Sequence, residues 1–276
     1  MKVANALAFR ALLAILAATP VFANDALPSQ EQVPPTIAII IDDMGHDKFQ
    51  GERLISMELP LTLAFLPFRR HTTVLANKAY QHQKEIMLHA PMANTRLLKL
   101  GPGGLTPDMG QEEMAITLRR ALRSVPHVQG VNNHMGSLLT QQLRAMDWVM
   151  TELNAYPVYF VDSRTIASSI AGKVAAAHRI PTLTRDVFLD HEQTEDYIDR
   201  QFQLLIKRAR ENGSAVGIGH PHKVTVDYLE KRLPMLDREG IAIATVSAVW
   251  AMRNGNRRMF AEGEKRAIRP ALARQD

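Results

Sequence analysis

Short apolar runs alternate with amphipathic segments between residues 36 and 250 of this chain. Continuous apolar and β-branched runs of this kind are typical of strands that are buried on both faces of a parallel sheet. The run at 130–137 is more polar than the others. Like several of them, it ends in residues that can bind metals or move protons. We therefore predict eight strands, at 37–43, 61–66, 85–89, 130–137, 157–161, 184–188, 215–219 and 241–246.

The segments between these strands have the apolar spacing of amphipathic helices. We predict helices at 48–57, 72–84, 106–122, 140–154, 168–178, 192–212 and 225–238. Strands that alternate with helices favour right-handed βαβ units and an α/β fold. A closed or nearly closed barrel fits this order best, and an open doubly wound sheet is the alternative. The first predicted strand is not followed by a glycine-rich phosphate loop, so we do not expect a dinucleotide site.

The first 35 residues differ in character from the rest of the chain. A basic start with Lys2 and Arg10, an apolar run and then small residues are typical of a secretory signal peptide, here residues 1–23. An uncleaved N-terminal anchor is the alternative. Residues 24–35 read as a polar linker that contains proline. We therefore predict an exported, periplasmic protein with one domain at 36–250 and no transmembrane span after signal cleavage.

Composition narrows the possible partners and cofactors. Cysteine is absent, which excludes disulfides, thiolate metal sites and cysteine nucleophiles. The net charge is +5, but the leader contributes two positive charges and the segment from Arg253 onward a surplus of four, which leaves the central domain at −1. A nucleic-acid surface built into the fold is therefore not expected. Residues 251–276 read as a basic, disordered tail.

Acidic and histidine side chains follow several predicted strands. In a parallel sheet the ligand site lies beyond the carboxyl ends of the strands, so these side chains are expected to converge. Asp42 and Asp43 end the first strand, and His89 and His134 end two others. Two histidines and an aspartate form a plausible site for zinc or a similar ion, with a position left open for water. The alternatives are an Asp pair that caps the next helix and histidines with structural roles.

A second set of polar residues follows later strands. His220 and His222 close the strand at 215–219, and either could protonate a leaving group. Asp162 could orient such a histidine, while Arg164 could pair with an acid or with a substrate oxygen. A polar loop and a structural Asp–Arg pair are the alternatives. Further candidates for substrate contact are Asn133 and Asp186. The Gly-x-Ser-x-Gly motif of serine hydrolases is missing, so a hydrolase of that type is disfavoured. A glycosidase that uses two carboxylates remains an alternative.

Five motifs in register resemble the divergent polysaccharide deacetylase family, a distant relative of the carbohydrate esterases with a NodB-homology domain. They are Ile-Ile-Asp-Asp-Met-Gly at 40–45, Ile-Met-Leu-His-Ala-Pro-Met at 86–92, Gly-Val-Asn-Asn-His-Met-Gly-Ser at 130–137, Tyr-Phe-Val-Asp-Ser-Arg-Thr at 159–165 and Gly-Ile-Gly-His-Pro-His at 217–222. The resemblance implies an irregular (β/α) barrel of about seven strands. It also implies that Asp43 binds a metal, that Asp42 is the catalytic base and that His220 or His222 is the general acid.

The sequence departs from this resemblance at one ligand. The relatives place two histidines in a His-x-x-x-His motif, whereas His89 is followed by Ala93 at the second position. We expect His134, on the next strand, to replace the missing ligand. The sequence therefore predicts a divalent-metal hydrolase, with zinc the expected ion, that removes acetyl groups from an envelope polysaccharide or related acetylated sugar. A catalytically silent barrel that binds glycan or protein is the alternative.

Overall fold

The computed structural model describes residues 33–255. The predicted signal peptide, most of the linker and residues 256–276 of the predicted tail lie outside this range. Nine strands are present in the described part of the chain: Thr36–Met44 (β1), Thr62–Phe65 (β2), Glu85–Met92 (β3), Gly130–Met135 (β4), Tyr159–Asp162 (β5), Thr182–Thr184 (β6), Val187–Phe188 (β7), Ser214–Gly219 (β8) and Ala242–Ile243 (β9).

Eight α-helices accompany the strands within residues 33–255, and most of them cover the outer face of the sheet. Side chains cap several of their amino ends, as when Thr194 accepts a hydrogen bond from the Tyr197 amide. The helices are Lys48–Ser56 (α1), Thr72–Gln81 (α2), Gln111–Ser124 (α3), Leu143–Leu153 (α4), Ala171–Ala177 (α5), Glu195–Asn212 (α6), Lys223–Arg232 (α7) and Val246–Arg253 (α8). None of the helices in residues 33–255 combines the length and the apolar character that crossing a membrane requires.

All strand pairs are parallel, and the strands are ordered β6-β5-β4-β3-β2-β1-β8-β7, with β9 beside β1. The sheet curls into a half-barrel, which confirms the predicted α/β class and irregular barrel. The strand predicted at 184–188 is wrong in one respect, because it divides into two. β6 pairs with β5 and β7 pairs with β8, so the two pieces lie at opposite edges of the sheet.

Successive side chains of each strand enter two apolar layers. In β1, Ala38 and Ile40 belong to the layer inside the curled sheet, whereas Ile37, Ile39 and Ile41 pack against the helices outside. This is the period of two that a pleated strand imposes. Because both layers are apolar, the strands appear as unbroken hydrophobic runs in the sequence. Asp42 continues the inward series, and its carboxylate therefore points into the mouth of the barrel.

The amino-terminal end of the barrel is closed by β9 and α8. Val246 and Val249 of α8 join the inner apolar layer. The buried carboxylate of Glu85 accepts hydrogen bonds from the amides of Val246 and Ser247 and from the Thr62 hydroxyl. The strand predicted at 241–246 is shorter in the structure, where β9 ends at Ile243, and the predicted tail from residue 251 overlaps α8, which runs to Arg253. The opposite end of the barrel stays open.

Candidate active site

The Asp42–Asp43 pair lies at a break in strand geometry. The pairing of β1 with β2 shifts register between Ile41 and Met44, and Asp43 has a left-handed φ of 55°. Such an irregularity re-aims a side chain that would otherwise point to the other face of the sheet. Both carboxylates consequently face one mouth. Asp42 lies 3.6 Å from Nδ1 of His89, and Asp43 lies 3.3 Å from Nε2 of the same ring.

Asp43, His89 and His134 form a compact group at this mouth. Oδ1 of Asp43 is 2.9 Å from Nδ1 of His134, and that nitrogen is 3.1 Å from Nε2 of His89. Ligand atoms on a tetrahedral zinc ion with bonds of about 2.0–2.1 Å are separated by about 3.3 Å. The observed spacing therefore suits one small cation. His89 is 2% exposed, whereas the Asp43 side chain is 34% exposed, so the group opens toward solvent on one side.

The chemistry of these donor atoms fits a metal ion. Oδ1 of Asp43 is buried and accepts no hydrogen bond of ordinary geometry from any residue in the described part of the chain. Asn132 Oδ1 lies 2.7 Å from Nδ1 of His89 and can only accept, so Nδ1 must carry the proton. In the neutral ring, the lone pair of Nε2 then faces Asp43 and His134. Oδ1 of Asp43, Nε2 of His89 and Nδ1 of His134 thus converge as a donor set that a small cation would fit.

The electrostatics of the group agree with this assignment. Burial would raise the pKa of Asp43, but the imidazoles of His134 and His89 outweigh it and hold that pKa well below its ordinary value. For His89, burial lowers the pKa, yet the carboxylates of Asp42 and Asp43 raise it overall. The Asp43 carboxylate is thus anionic at neutral pH, and it attracts positive charge to the mouth.

Asn132 connects the metal-ligand group to Asp42. Its amide nitrogen donates to Oδ1 of Asp42 at 2.7 Å, while its amide oxygen accepts from His89. Asp42 is 3% exposed, and burial raises its pKa against the opposing effects of His89, His220 and Asn132. Sequence reasoning missed Asn132. The alternation of side chains along a strand could have identified it, because Gly130, Asn132 and His134 share the face of β4 that points inward.

His220 lies across the mouth and is held by Asp190. Ile41 of β1 is paired with Gly219 of β8, which brings the next residues, Asp42 and His220, side by side. Asp190 accepts hydrogen bonds from the His220 amide at 2.6 Å, from its Nδ1 at 2.9 Å and from the Thr225 hydroxyl at 2.8 Å. Burial lowers the pKa of His220, but Asp190, Asp42 and Asp43 together raise it to about 9.

The residue that orients this histidine is therefore Asp190, and the role predicted for Asp162 is corrected. Asp162 instead accepts hydrogen bonds from the Arg164 amide, the Ser169 hydroxyl and the Gly172 amide. It ties the turn after β5 to the start of α5. The sequence places Asp190 just after the strand predicted at 184–188 and favours a rim or loop residue there, whereas the structure buries its side chain.

Two of the predicted substrate contacts are also corrected. Asn133 points away from the barrel axis, is buried, and bonds to the Ser163 amide and the Met135 carbonyl. Asp186 bonds to the amide of Val216, in the first half of β8, and pairs with Arg253 of α8 at 3.1 Å. It therefore lies toward the closed end of the barrel. Both side chains are occupied by structural hydrogen bonds.

Arg164 and His222 remain at the rim of the mouth. Arg164 is exposed in the turn after β5, and its backbone has a left-handed φ of 45°. His222 stacks near His220, with ring centroids 5.7 Å apart, and lies 3.2 Å from the side-chain nitrogen of Gln193. With Asp190 and His220 it makes a second group of possible metal ligands. Asp190 already accepts three hydrogen bonds there, which leaves it poorly placed to bind an ion.

Comparison with known families identifies the domain. A family model described as divergent polysaccharide deacetylase matches residues 39–250. This chain belongs to that family. The match spans nearly the whole barrel and confirms the resemblance that the five motifs indicated, with a deacetylase-like fold. Asp43, His89 and His134 are the candidate metal ligands of this family member.

Three relatives are similar over most of the chain. YibQ of Escherichia coli K12 is 37% identical over 227 residues, which covers 82% of this chain and 67% of YibQ. A protein of Haemophilus influenzae Rd is 32% identical over 214 residues, which covers 78% of this chain and 76% of that protein. A crystal structure of a protein from Agrobacterium tumefaciens C58 has a TM-score of 0.75 at 26% identity, and covers 80% of this chain and 92% of that chain.

Proposed function

We propose that this protein is a metal-dependent deacetylase that removes acetyl groups from an envelope or related polysaccharide. The observation that carries the proposal is the arrangement at the open mouth. Three converging ligand atoms, a buried carboxylate and a protonated histidine lie beside one another on neighbouring strands. Deacetylation of an amide needs an activated water, a stabilised oxyanion and a proton for the departing amine. The mouth offers a group for each.

Asp43, His89 and His134 hold the ion in this proposal, and nitrogen and oxygen donors of this kind suit zinc. When bound, a divalent ion polarises the acetyl carbonyl and makes water more acidic. Asp42 accepts the proton of the attacking water. Its burial raises its pKa toward the working range of a general base, and its hydrogen bond from Asn132 fixes the carboxylate in place.

His220 donates the proton that the departing amine requires. With a pKa raised to about 9, its imidazole is protonated at neutral pH and can act as a general acid. Asp190 fixes the ring by bonding to Nδ1, which directs Nε2 away from the anchoring carboxylate. His222, the other candidate from the sequence, is bonded to Gln193 and lacks such an anchor.

The family and the open, polar mouth support a polysaccharide substrate, and the signal peptide predicted at residues 1–23 supports export to the periplasm. The test is acetate release from N-acetylated oligosaccharides by purified protein loaded with zinc. We expect turnover that chelation abolishes. Asp43→Ala and His134→Ala should lose the metal, whereas Asp42→Asn should keep it and lose activity by about 10²–10⁴-fold. His127→Ala, which changes an exposed histidine stacked on Tyr80, is the matched control.

Full metal occupancy in both ligand variants would rule out this ligand set. A second candidate function is a barrel that binds glycan without turnover. It is favoured by Ala93, which stands where the relatives of the wider group have their second histidine. Tight glycan binding with no acetate released by the zinc-loaded protein would establish that alternative.

A further inference from the structure

A groove with a volume of about 600 Å³ lies beside the mouth. It is formed by the turn between β2 and α2, by the long connection between β3 and α3, and by the surface of α3. Its lining includes Phe68, Leu100, Met109, Thr117 and Arg120. These elements carry none of the residues that the proposed mechanism uses. The groove combines apolar surface with positive charge.

Phe68 supplies the aromatic surface of this groove. It follows Pro67 in a left-handed conformation with φ of 57°, and it is 43% exposed. A methyl group added at Gly103 would lie 3.1 Å from its ring, so the glycine-containing loop packs closely on the ring edge. A non-glycine residue with positive φ is strained and is retained where the surroundings require its position. The strain here holds a half-exposed aromatic ring in the groove wall.

Arg69 lies between the groove and the candidate metal ligands. A methyl group at Gly45, two residues after Asp43, would be 3.3 Å from Cβ of Arg69, and one at Gly101 would overlap its guanidinium. Nε of Arg69 is buried, and within residues 33–255 it has no hydrogen-bond partner. In the same part of the chain, no carboxylate forms an ion pair with Arg69 or Arg120. The terminal guanidinium nitrogens of Arg69 lie against Gly101, which lines the groove, so a ligand carboxylate would reach these nitrogens and not the buried Nε.

We propose that this groove is a subsite for an acidic sugar of the substrate, next to the acetylated sugar at the metal-ligand group. The pyranose packs on Phe68, and its carboxylate accepts hydrogen bonds from Arg69, with Arg120 adding charge attraction. Planar guanidinium groups pair with carboxylates in a bidentate manner, which gives both affinity and orientation. The inference rests on the proposed function for the identity of the polymer as a polysaccharide. It names the substrate class as a carboxylated glycan.

The test compares two oligosaccharides of equal length by calorimetry with the full chain. One is a neutral N-acetylglucosamine oligomer, and in the other alternate sugars carry a carboxylate. We expect the acidic oligomer to bind about 10- to 100-fold more tightly, as hydrogen bonds to a charged group predict. This preference should shrink as salt is raised, because part of it is charge attraction at a solvent-open groove. Equal affinity for the two oligomers, or binding of neither, overturns the subsite.

Variants locate the binding to the groove. Arg69→Gln should lower the affinity for the acidic oligomer to that for the neutral one. Arg120 is exposed on α3, so Arg120→Gln should leave the fold intact. It should remove part of the preference for the acidic oligomer. Arg123→Gln, on the same helix but outside the groove lining, is the matched control and should keep the full preference. A preference that survives in both groove variants, or that falls equally in the control, contradicts the assignment.

Acetate release by the wild-type protein on both oligomers separates this inference from the proposed function. Selective binding of the acidic oligomer that depends on Arg69, without acetate release, retains the subsite and removes the deacetylase. Acetate release from both oligomers at equal affinity retains the deacetylase and removes the subsite.

Discussion

Asp190 sets the protonation state of His220, because its buried carboxylate accepts hydrogen bonds from both the amide and Nδ1 of that residue. A general acid must carry its proton, so kcat/KM is expected to fall as pH rises through the pKa of about 9. The fall in kcat/KM above this pKa is the alkaline limb of the pH profile. A bound cation would offset the charge of Asp43 and place the alkaline limb at or below about pH 9. Asp190→Asn removes the negative charge, lowers the pKa of His220, and should move the limb down by about 1–3 pH units.

Asp162→Asn is the matched control for the pH profile of Asp190→Asn. It makes the same chemical change in a buried aspartate at the end of β5, but Asp162 bonds to Arg164, Ser169 and Gly172 and to no histidine. We expect its alkaline limb to stay where it is in the wild type, whatever its effect on stability. An equal shift in the two variants would show that Asp190 acts only by holding the fold.

Residues that follow buried strands could be located from the sequence. Asp42, Asp43, His89, His134 and His220 each end or follow an apolar run, and parallel strands bring such positions to one mouth. Their hydrogen-bond partners could not be found in this way. Asn132 and Asp190 are recognised only when β3 is placed beside β4 and the loop after β7 beneath β8. Long-range pairing, and not local pattern, decides which polar neighbour satisfies a given ring nitrogen.

At the scale of elements, one carboxylate holds α8 against β3 at the closed, amino-terminal end of the barrel. Glu85 accepts hydrogen bonds from the first amides of α8 and from Thr62, in a site that is almost fully buried. In Glu85→Gln the charge is lost, and one side-chain position turns from acceptor into donor. We expect a loss of about 1.5–3 kcal/mol in the free energy of unfolding, measured by urea denaturation.

Glu113→Gln is the comparison for this change. Glu113 lies in the first turn of α3, so it also faces the positive end of a helix dipole, but it is exposed. An exposed charge at this position contributes about 0.3–1 kcal/mol. If both substitutions cost the same, the buried junction would not stabilise the barrel beyond an ordinary helix-end charge.

Elements with strong local signals were predicted well, and those defined by pairing were not. The amphipathic pattern at 192–212 corresponds to α6, whose amino end is capped by Thr194 and whose carboxyl end meets Gly213 with φ of 78°. The run at 184–188 reads as one strand, although Arg185 and Asp186 divide it between two sheet edges. The apolar segment at 241–253 contains both β9 and α8. Because both are largely buried, the spacing of hydrophobic residues alone cannot separate the strand from the helix.

At the scale of the whole molecule, an ion at the mouth would join three strands that are distant in the sequence. Asp43 comes from β1, His89 from β3 and His134 from β4, so the site exists only in the folded barrel. An ion that binds the folded state alone raises stability by mass action, by about 2.7 kcal/mol at a concentration of 100 times Kd. For a domain of this size, that corresponds to a rise in Tm of about 5–10 °C.

Calorimetry of chelator-treated protein, with and without added zinc, measures this rise, and two variants identify the ligands. Asp43→Asn keeps the shape of the side chain but removes its charge, and should abolish most of the rise. His222→Ala should retain it. His222 belongs to the second group of possible ligands, in which Asp190 already accepts three hydrogen bonds, from the His220 amide, its ring nitrogen and Thr225. A rise that survives in Asp43→Asn and disappears in His222→Ala would move the ion to that second group, and the roles assigned to Asp42 and His220 would fail with it.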